Sequence, residues 1–184
     1  MKLFVTSDTH FNHTNIIKYC NRPFADVGEM NETLIRNWNN VVDDEDFVIH
    51  CGDFGLGKMD KLPSLIQRLN GHKILVVGNH DKSANWYMDN GFDYACNEPL
   101  ILYDKAINFT YIFSHYPPTS FYPQHYYFYG HIHNNTALDV HSPLNNARCI
   151  CCDRTDFTPL ILGDVDFKSD YHQNMIQVDL TLKK

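Results

Sequence analysis

The sequence predicts an α/β (α+β) domain whose front half alternates strand and helix and whose back half is mostly strand. Two observations carry this. Up to residue 92, the apolar runs KLFVTS, DFVIH and HKILVV each end in polar residues, and segments of helical periodicity separate them. After residue 92 the runs become shorter and richer in aromatic and β-branched residues: LILY, INFTYIFSH, YYFYGHIH, RCICCD and PLIL.

Element by element, KLFVTS reads as a buried strand ending in a functional loop. NHTNIIKYC reads as a short helix closed by the turn-forming NRPF. The clearest helix starts at Asp26, where Asp26 and Glu29 form a capping-box pattern and Val27, Met30, Leu34, Trp38 and Val41 recur at helical spacing. DFVIHCGDF is a second strand running into a glycine-rich loop. MDKLPSLIQRL is helical with Pro63 near its first turn, where the missing N–H costs nothing. HKILVVGNHD repeats the strand-then-polar theme, and SANWYMDN is another short helix. In the back half, DKA at 104 to 106 reads as a hairpin turn. Beyond residue 163 only IQVDLTL alternates like a strand.

A length of 184 residues predicts one domain spanning 1–184, large enough to bury a sizeable core. The net charge of -7 and the absence of any Lys or Arg run argue against stable docking on nucleic acid. A small anionic substrate remains compatible if bound cations supply the positive charge. Only three apolar residues, Leu3 to Val5, run together before the polar stretch that begins at Thr6, and no stretch approaches membrane-spanning length, so the expected location is the cytoplasm. The six cysteines read as reduced small hydrophobes, Cys149, Cys151 and Cys152 among them as strand residues.

The chemistry gathers at the ends of the strands. The first delivers Asp8 and His10, the second Asp53, the third Asn79, His80 and Asp81, a later one His115, and the next His131 and His133. Open α/β sheets place ligands beyond the carboxyl ends of their strands, so these residues are expected to converge. In extended chain, residues i and i+2 point the same way, which would pair Asp8 with His10 and His131 with His133. Gly52, Gly78 and Gly130 stand just before Asp53, Asn79 and His131, where a positive φ or a close backbone approach is anticipated. Imidazole, carboxylate and amide donors without thiolate suit a hydrolytic first-row metal site. Seven ligands exceed one tetrahedral ion and point to two, with one carboxylate shared.

The blocks DTH, GD, GNHD, SH and GHIH, in this order over residues 8 to 133, closely resemble the calcineurin-like metallophosphoesterase family, whose motifs run DxH, GD, GNH(D/E), H and GHxH. The opening SDTHFNHTNII is similar to small bacterial and phage-type members. The resemblance implies two β-sheets packed face to face with helices outside. It implies that Asp8, His10 and His133 hold one divalent ion, Asn79, His115 and His131 the other, and that Asp53 bridges them. His80 would face the substrate, with Asp81 orienting its ring. The implied reaction is hydrolysis of a phosphate mono- or diester by a metal-bridging hydroxide. Manganese is the working metal, with Fe, Zn, Ni or Mg as alternatives, and a small phosphorylated molecule such as a nucleotide is the expected substrate.

Other residues invite two readings. His13, three residues past His10, could touch substrate. Arg22 could grip a phosphate, although such an arginine is more often a solvated or salt-bridged loop residue. Tyr116, Phe121 and Tyr122 could stack a nucleobase, against the plainer reading of a core strand and a stiff loop. His50, His72, His125, His141 and His172 read as ordinary histidines. The competing functions are a nuclease or phosphodiesterase on RNA or DNA ends, for which basic residues are scarce, and a noncatalytic interaction module, which the intact GNHD disfavours.

Overall fold

The computed structural model of the protein describes residues 1–57, 59–172 and 175–182. Along the chain it forms β1 (Lys2–Thr6), α1 (Thr14–Tyr19), α2 (Val27–Asn39), β2 (Phe47–His50), α3 (Leu62–Ile66), β3 (His72–Val76), α4 (Ala84–Asp89), β4 (Tyr94–Cys96), β5 (Leu100–Asp104), β6 (Phe109–Ser114), β7 (His125–Tyr129), β8 (Ala147–Cys149), β9 (Leu160–His172) and β10 (Met175–Leu182). The helix from Asp26 forms as its pattern dictates. The Asp26 carboxylate accepts from the Glu29 amide at 2.9 Å, which removes one orphan donor of the first turn. Met30, Leu34 and Trp38 lie on its buried face. Pro63 falls in the first turn of α3, where it is tolerated.

The strands β1 to β4 pair in parallel, as helical crossovers require, and β6, β7 and β8 pair in parallel too. Antiparallel β9 on β1 and antiparallel β5 on β6 make both groups mixed sheets. The hairpin β9–β10 links them, with β10 alongside β5, so the hydrogen-bonded order is continuous from β4 to β8. Alternate residues sort the two faces of the first sheet. Phe4, Val48 and Leu75 pack under Ile16, Leu34, Leu62 and Tyr87 of the four helices. Leu3, Val5, Ile49, Ile74 and Val76 instead meet Leu102, Tyr111, Phe113 and Phe128 of the second sheet. The result is two mixed sheets face to face.

Three details differ from the sequence reading. Strand β4 was not anticipated, being only three residues long. The short run PLIL continues as the 13-residue β9, and its partner β10 takes in IQVDLTL, because pairing between the two supplies what a weak apolar pattern does not. The helices, expected on the outside of the sandwich, contribute core residues only on the side of the first sheet among the described residues.

The sandwich closes at one end. Ser7, just past β1, bridges Cys151, just past β8, and the Cys152 amide donates to the Ser7 carbonyl at 2.9 Å. Within the described residues no helix is long and apolar enough to cross a membrane.

His50, at the end of β2, is a core histidine. It is fully buried, its Nε2 lies 2.9 Å from the Thr9 hydroxyl, and its ring stands edge-on to Phe54. Burial, reinforced by His115, pushes its pKa down to about 3. An unfolded histidine titrates near 6.5, so the unfolded chain binds the extra proton first and stability falls as pH drops from about 6.5 toward 3. His50→Gln is expected to flatten this fall by about 3 kcal/mol between pH 7 and 4. Urea unfolding across that range checks it, and parallel pH curves for the two proteins would refute it.

Candidate metal centre

The carboxyl ends of β1, β2, β3, β6 and β7 meet where the sandwich closes. Asp8 follows β1, and its amide donates to the Gly52 carbonyl at 3.0 Å, while the His10 amide donates to the Asp53 carbonyl at 3.0 Å. These bonds run the loops after β1 and β2 side by side. The Gly130 amide bonds the His115 carbonyl at 3.0 Å and ties the loops of the second sheet together in the same way.

Glycine is required where the loops cross. A Cβ on Gly130 would stand 2.0 Å from the Ser7 hydroxyl and 2.5 Å from an Asp8 carboxylate oxygen, and one on Gly78 would stand 2.4 Å from the Asp53 amide. The pairs Asp8/His10 and His131/His133 do converge, but not through strand pleat. Asp8, His10, Asp53, His131 and His133 have φ of 58°, 53°, 55°, 72° and 49°. Left-handed turns aim these side chains, and such strain in non-glycine residues gathers where function requires it. Thr9, between Asp8 and His10, turns inward to His50 and to the Phe54 carbonyl.

Two groups of donors result. Asp8, His10 and His133 form one, and Asp53, His115 and His131 the other; a further cluster, Cys20, His133 and Asp153, shares His133 with the first. In the first, the Asp8 Oδ2 atom accepts from the Ser7 hydroxyl, the His131 amide and the Cys151 thiol. Its Oδ1 atom is buried without a partner, 3.6 Å from His133 Nε2. His10 Nε2 is likewise buried and unpartnered. In the second, His115 Nδ1 donates to the Cys51 carbonyl at 2.9 Å, so its Nε2 presents a lone pair. That lone pair faces the Asn79 amide oxygen at 2.9 Å and His131 Nδ1 at 3.2 Å. Asp53 Oδ1 accepts from the His80 amide, which leaves Oδ2 3.5 Å from His10 Nε2 and 3.6 Å from His115 Nε2.

Metal ions fit this donor set. Two donors each about 2.1 Å from one ion stand roughly 3 to 4 Å apart. Lone pairs that converge at these spacings repel one another unless a cation lies between them. Burial, then the neighbours His133 and Arg22, holds His10 far below the usual imidazole range, so it stays neutral and able to ligate. At His133 burial alone would lower the pKa, but hydrogen bonds to Asp153 and Cys20 and the Asp8 charge outweigh it and push the value up to about 10. A corner that holds a proton so firmly also favours a divalent cation.

Three placements were not legible beforehand. Asp81 does not serve the His80 ring. Its oxygens accept from the Asp53, Phe54 and Gly78 amides and from the Tyr87 hydroxyl at 2.7 to 2.9 Å, so it clamps the Asp53 loop to the Asn79 loop from below. Arg22 is buried and does not reach out for a phosphate. It pairs both ways with Asp153 at 2.8 and 3.0 Å and donates to the Asp8 and Thr9 carbonyls. Asp153 in turn accepts from His133 Nδ1 at 2.9 Å, which leaves Nε2 as the nitrogen that a cation would bind on displacing its proton. The signal for Asp153 in RCICCD is an acidic residue just past a strand. The thiols of that run are free, and Cys151 and Cys152 leave the strand to donate to Asp8.

Carboxylate partners of ligating histidines typically govern metal affinity by about 10- to 100-fold. Asp153→Asn is therefore expected to weaken uptake of one of two ions about 10- to 100-fold while leaving the other. A metal titration reads this, and uptake unchanged for both ions would refute it.

The family profile of the calcineurin-like phosphoesterase superfamily domain matches residues 1–148. The chain belongs to the calcineurin-like phosphoesterase superfamily. Membership, together with the two donor groups, supports a metal-dependent phosphoesterase in general. Over 83 residues the chain is 58% identical to the uncharacterized protein MJ1445 of Methanocaldococcus jannaschii, a match covering 44% of this chain and 47% of that one. The chain thus spans about half the length of that curated relative. A crystal structure of a protein of unknown function, AQ665 from Aquifex aeolicus, superposes with a TM-score of 0.69 at 27% identity, covering 87% of this chain and 95% of the other. Asp153, whose carboxylate accepts from His133 in this phosphoesterase domain, lies just beyond the matched span.

Proposed function

We propose that the protein is a dinuclear metal-dependent phosphoesterase that hydrolyses a small phosphate ester, a nucleotide being the favoured class. The observation that carries the reading is the position of Asp53 Oδ2, 3.5 Å from an imidazole of one donor group and 3.6 Å from an imidazole of the other. A single carboxylate oxygen so placed suits two ions that share a ligand. When bound, the ions would neutralise the phosphoryl oxygens and make hydroxide accessible near neutral pH. Asp8, His10 and His133 would hold one, Asn79, His115 and His131 the other, with Asp53 common to both.

The chain's own residues then divide the work. The Asp81 clamp and the Arg22–Asp153 pair keep the ligand loops in place before substrate arrives. His80 belongs to neither donor group, is exposed and lines the cleft above them, where its ring can reach a leaving-group oxygen and give it a proton. The cleft holds about 380 Å³, a size for a small ester, and the net charge of -7 works against a polymeric polyanion. Of the three aromatics considered for stacking, Tyr116 stands at the site, 54% exposed with its ring 4.7 Å from that of His131. Phe121 packs on Tyr127 and Tyr122 on His125 instead. Beyond Tyr116 lies a mostly apolar cavity of about 330 Å³, lined by Val77, Pro99, Pro118 and Tyr127, into which a base would fit.

Manganese is the metal of choice for assay, since mixed nitrogen and oxygen sites accept it. Hydrolysis of bis-p-nitrophenyl phosphate and p-nitrophenyl phosphate, with Mn²⁺ and with chelator, tests the reading. Turnover that needs the metal supports it, and the preferred compound separates diester from monoester chemistry. A chain that takes up no divalent ion and turns over neither compound would overturn it.

A further inference from the structure

His13 stands at the N-terminus of α1, where a capping side chain is usual, yet its ring makes no capping bond. The chain instead turns back through Asn12, at φ 64°, and the His13 amide donates to the His10 carbonyl at 3.1 Å. This turn lays the His13 ring against that of His10, with the two Nδ1 atoms 3.2 Å apart and the ring centroids 5.2 Å apart.

Two Nδ1 atoms at this distance can share one proton, and the metal reading decides which ring carries it. An imidazole that ligates through Nε2 carries its proton on Nδ1. His10 Nε2 is the buried, unpartnered atom aimed at Asp53. His10 Nδ1 is therefore the donor and His13 Nδ1 the acceptor, which places the proton of neutral His13 on Nε2. Carboxylates or carbonyls usually accept from a ligating histidine. A second imidazole in that place passes the orientation on and ends in a donor.

The His13 ring lines the same cleft as His80, with their centroids 6.3 Å apart, and neither belongs to a donor group. We propose that His13 is a substrate-binding residue: a neutral imidazole that His10 orients so that its Nε2–H donates to a phosphoryl oxygen of the ester. The proposal rests on the phosphoesterase reading above and adds a second imidazole to the cleft with a different task. His13 does not transfer its proton, because its Nδ1 is already occupied by the bond from His10. His80 has no such constraint. Losing His13 should therefore weaken binding of the phosphoryl group, whereas losing His80 should slow turnover.

The test uses the metal-loaded full chain and inorganic phosphate as probe, with His13→Leu and His13→Gln. The Gln amide can place an N–H near the position of Nε2, and Leu cannot. At saturating metal, with two ions bound throughout, calorimetry is expected to show phosphate binding about 5- to 10-fold weaker in His13→Leu, the size of one lost hydrogen bond, and largely restored in His13→Gln. Imidazole ¹⁵N spectra of the Zn²⁺-loaded protein are expected to show His13 protonated on Nε2. Wild-type phosphate affinity in His13→Leu with both ions retained would overturn the proposal while leaving the phosphoesterase reading intact. Loss of an ion in His13→Leu would also overturn it, by making His13 a support for the ligand alone. A wild-type chain that takes up no divalent ion would overturn the parent reading and this one with it.

Discussion

Asp53→Asn is expected to bind fewer than two ions and to lose about a thousandfold or more in kcat/KM, since the charge stabilisation supplied by bound ions amounts to several kcal/mol. The substitution keeps the size of the side chain, and the bonds from the residue 53 amide to Asp81 and from the His80 amide to the side-chain oxygen can persist. What it removes is the negative charge on the one oxygen that faces imidazoles of both groups. In either orientation of the new amide, both ions would lose their shared anionic ligand. Metal content by mass spectrometry, read beside the rate, makes the comparison. Two ions per chain with a normal rate would end the bridging assignment.

His80→Ala should behave in the opposite manner, with two ions retained and kcat lowered by about 10²- to 10⁴-fold, the usual worth of a positioned acid or base. The ring lies outside both donor groups and is exposed, so stability should change by less than about 0.5 kcal/mol. Its amide, which anchors Asp53, survives truncation of the side chain. The pair of variants separates metal holding from turnover. If His80→Ala instead lost an ion in step with the rate, the ring would have to be counted among the ligands.

The two variants also mark how far the sequence could be read. The donors were legible because each follows an apolar run, and parallel strands bring such ends together. The helix from Asp26 was legible because its cap and its apolar stripe agree. Asp81 was misjudged for a reason that no spacing reveals. Next to His80 in sequence, it turns beneath the loop, where buried amides of Asp53, Phe54 and Gly78 need an acceptor and draw it in. Arg22 and Asp153 lie 131 residues apart, and only the closing of the sandwich makes them partners.

By itself, then, the sequence determined the alternating front half, the strand-rich back half, the seven candidate donors and the glycines that let their loops approach. Those features are local or follow from period and chemistry. Tertiary structure decided how the donors meet: the bridge from Ser7 to Cys151, the left-handed turns at Asp8, His10, Asp53, His131 and His133, and the partners that hold each ligand from behind. Such contacts join residues far apart in the chain, and side chains pair in that way only after the two sheets have packed.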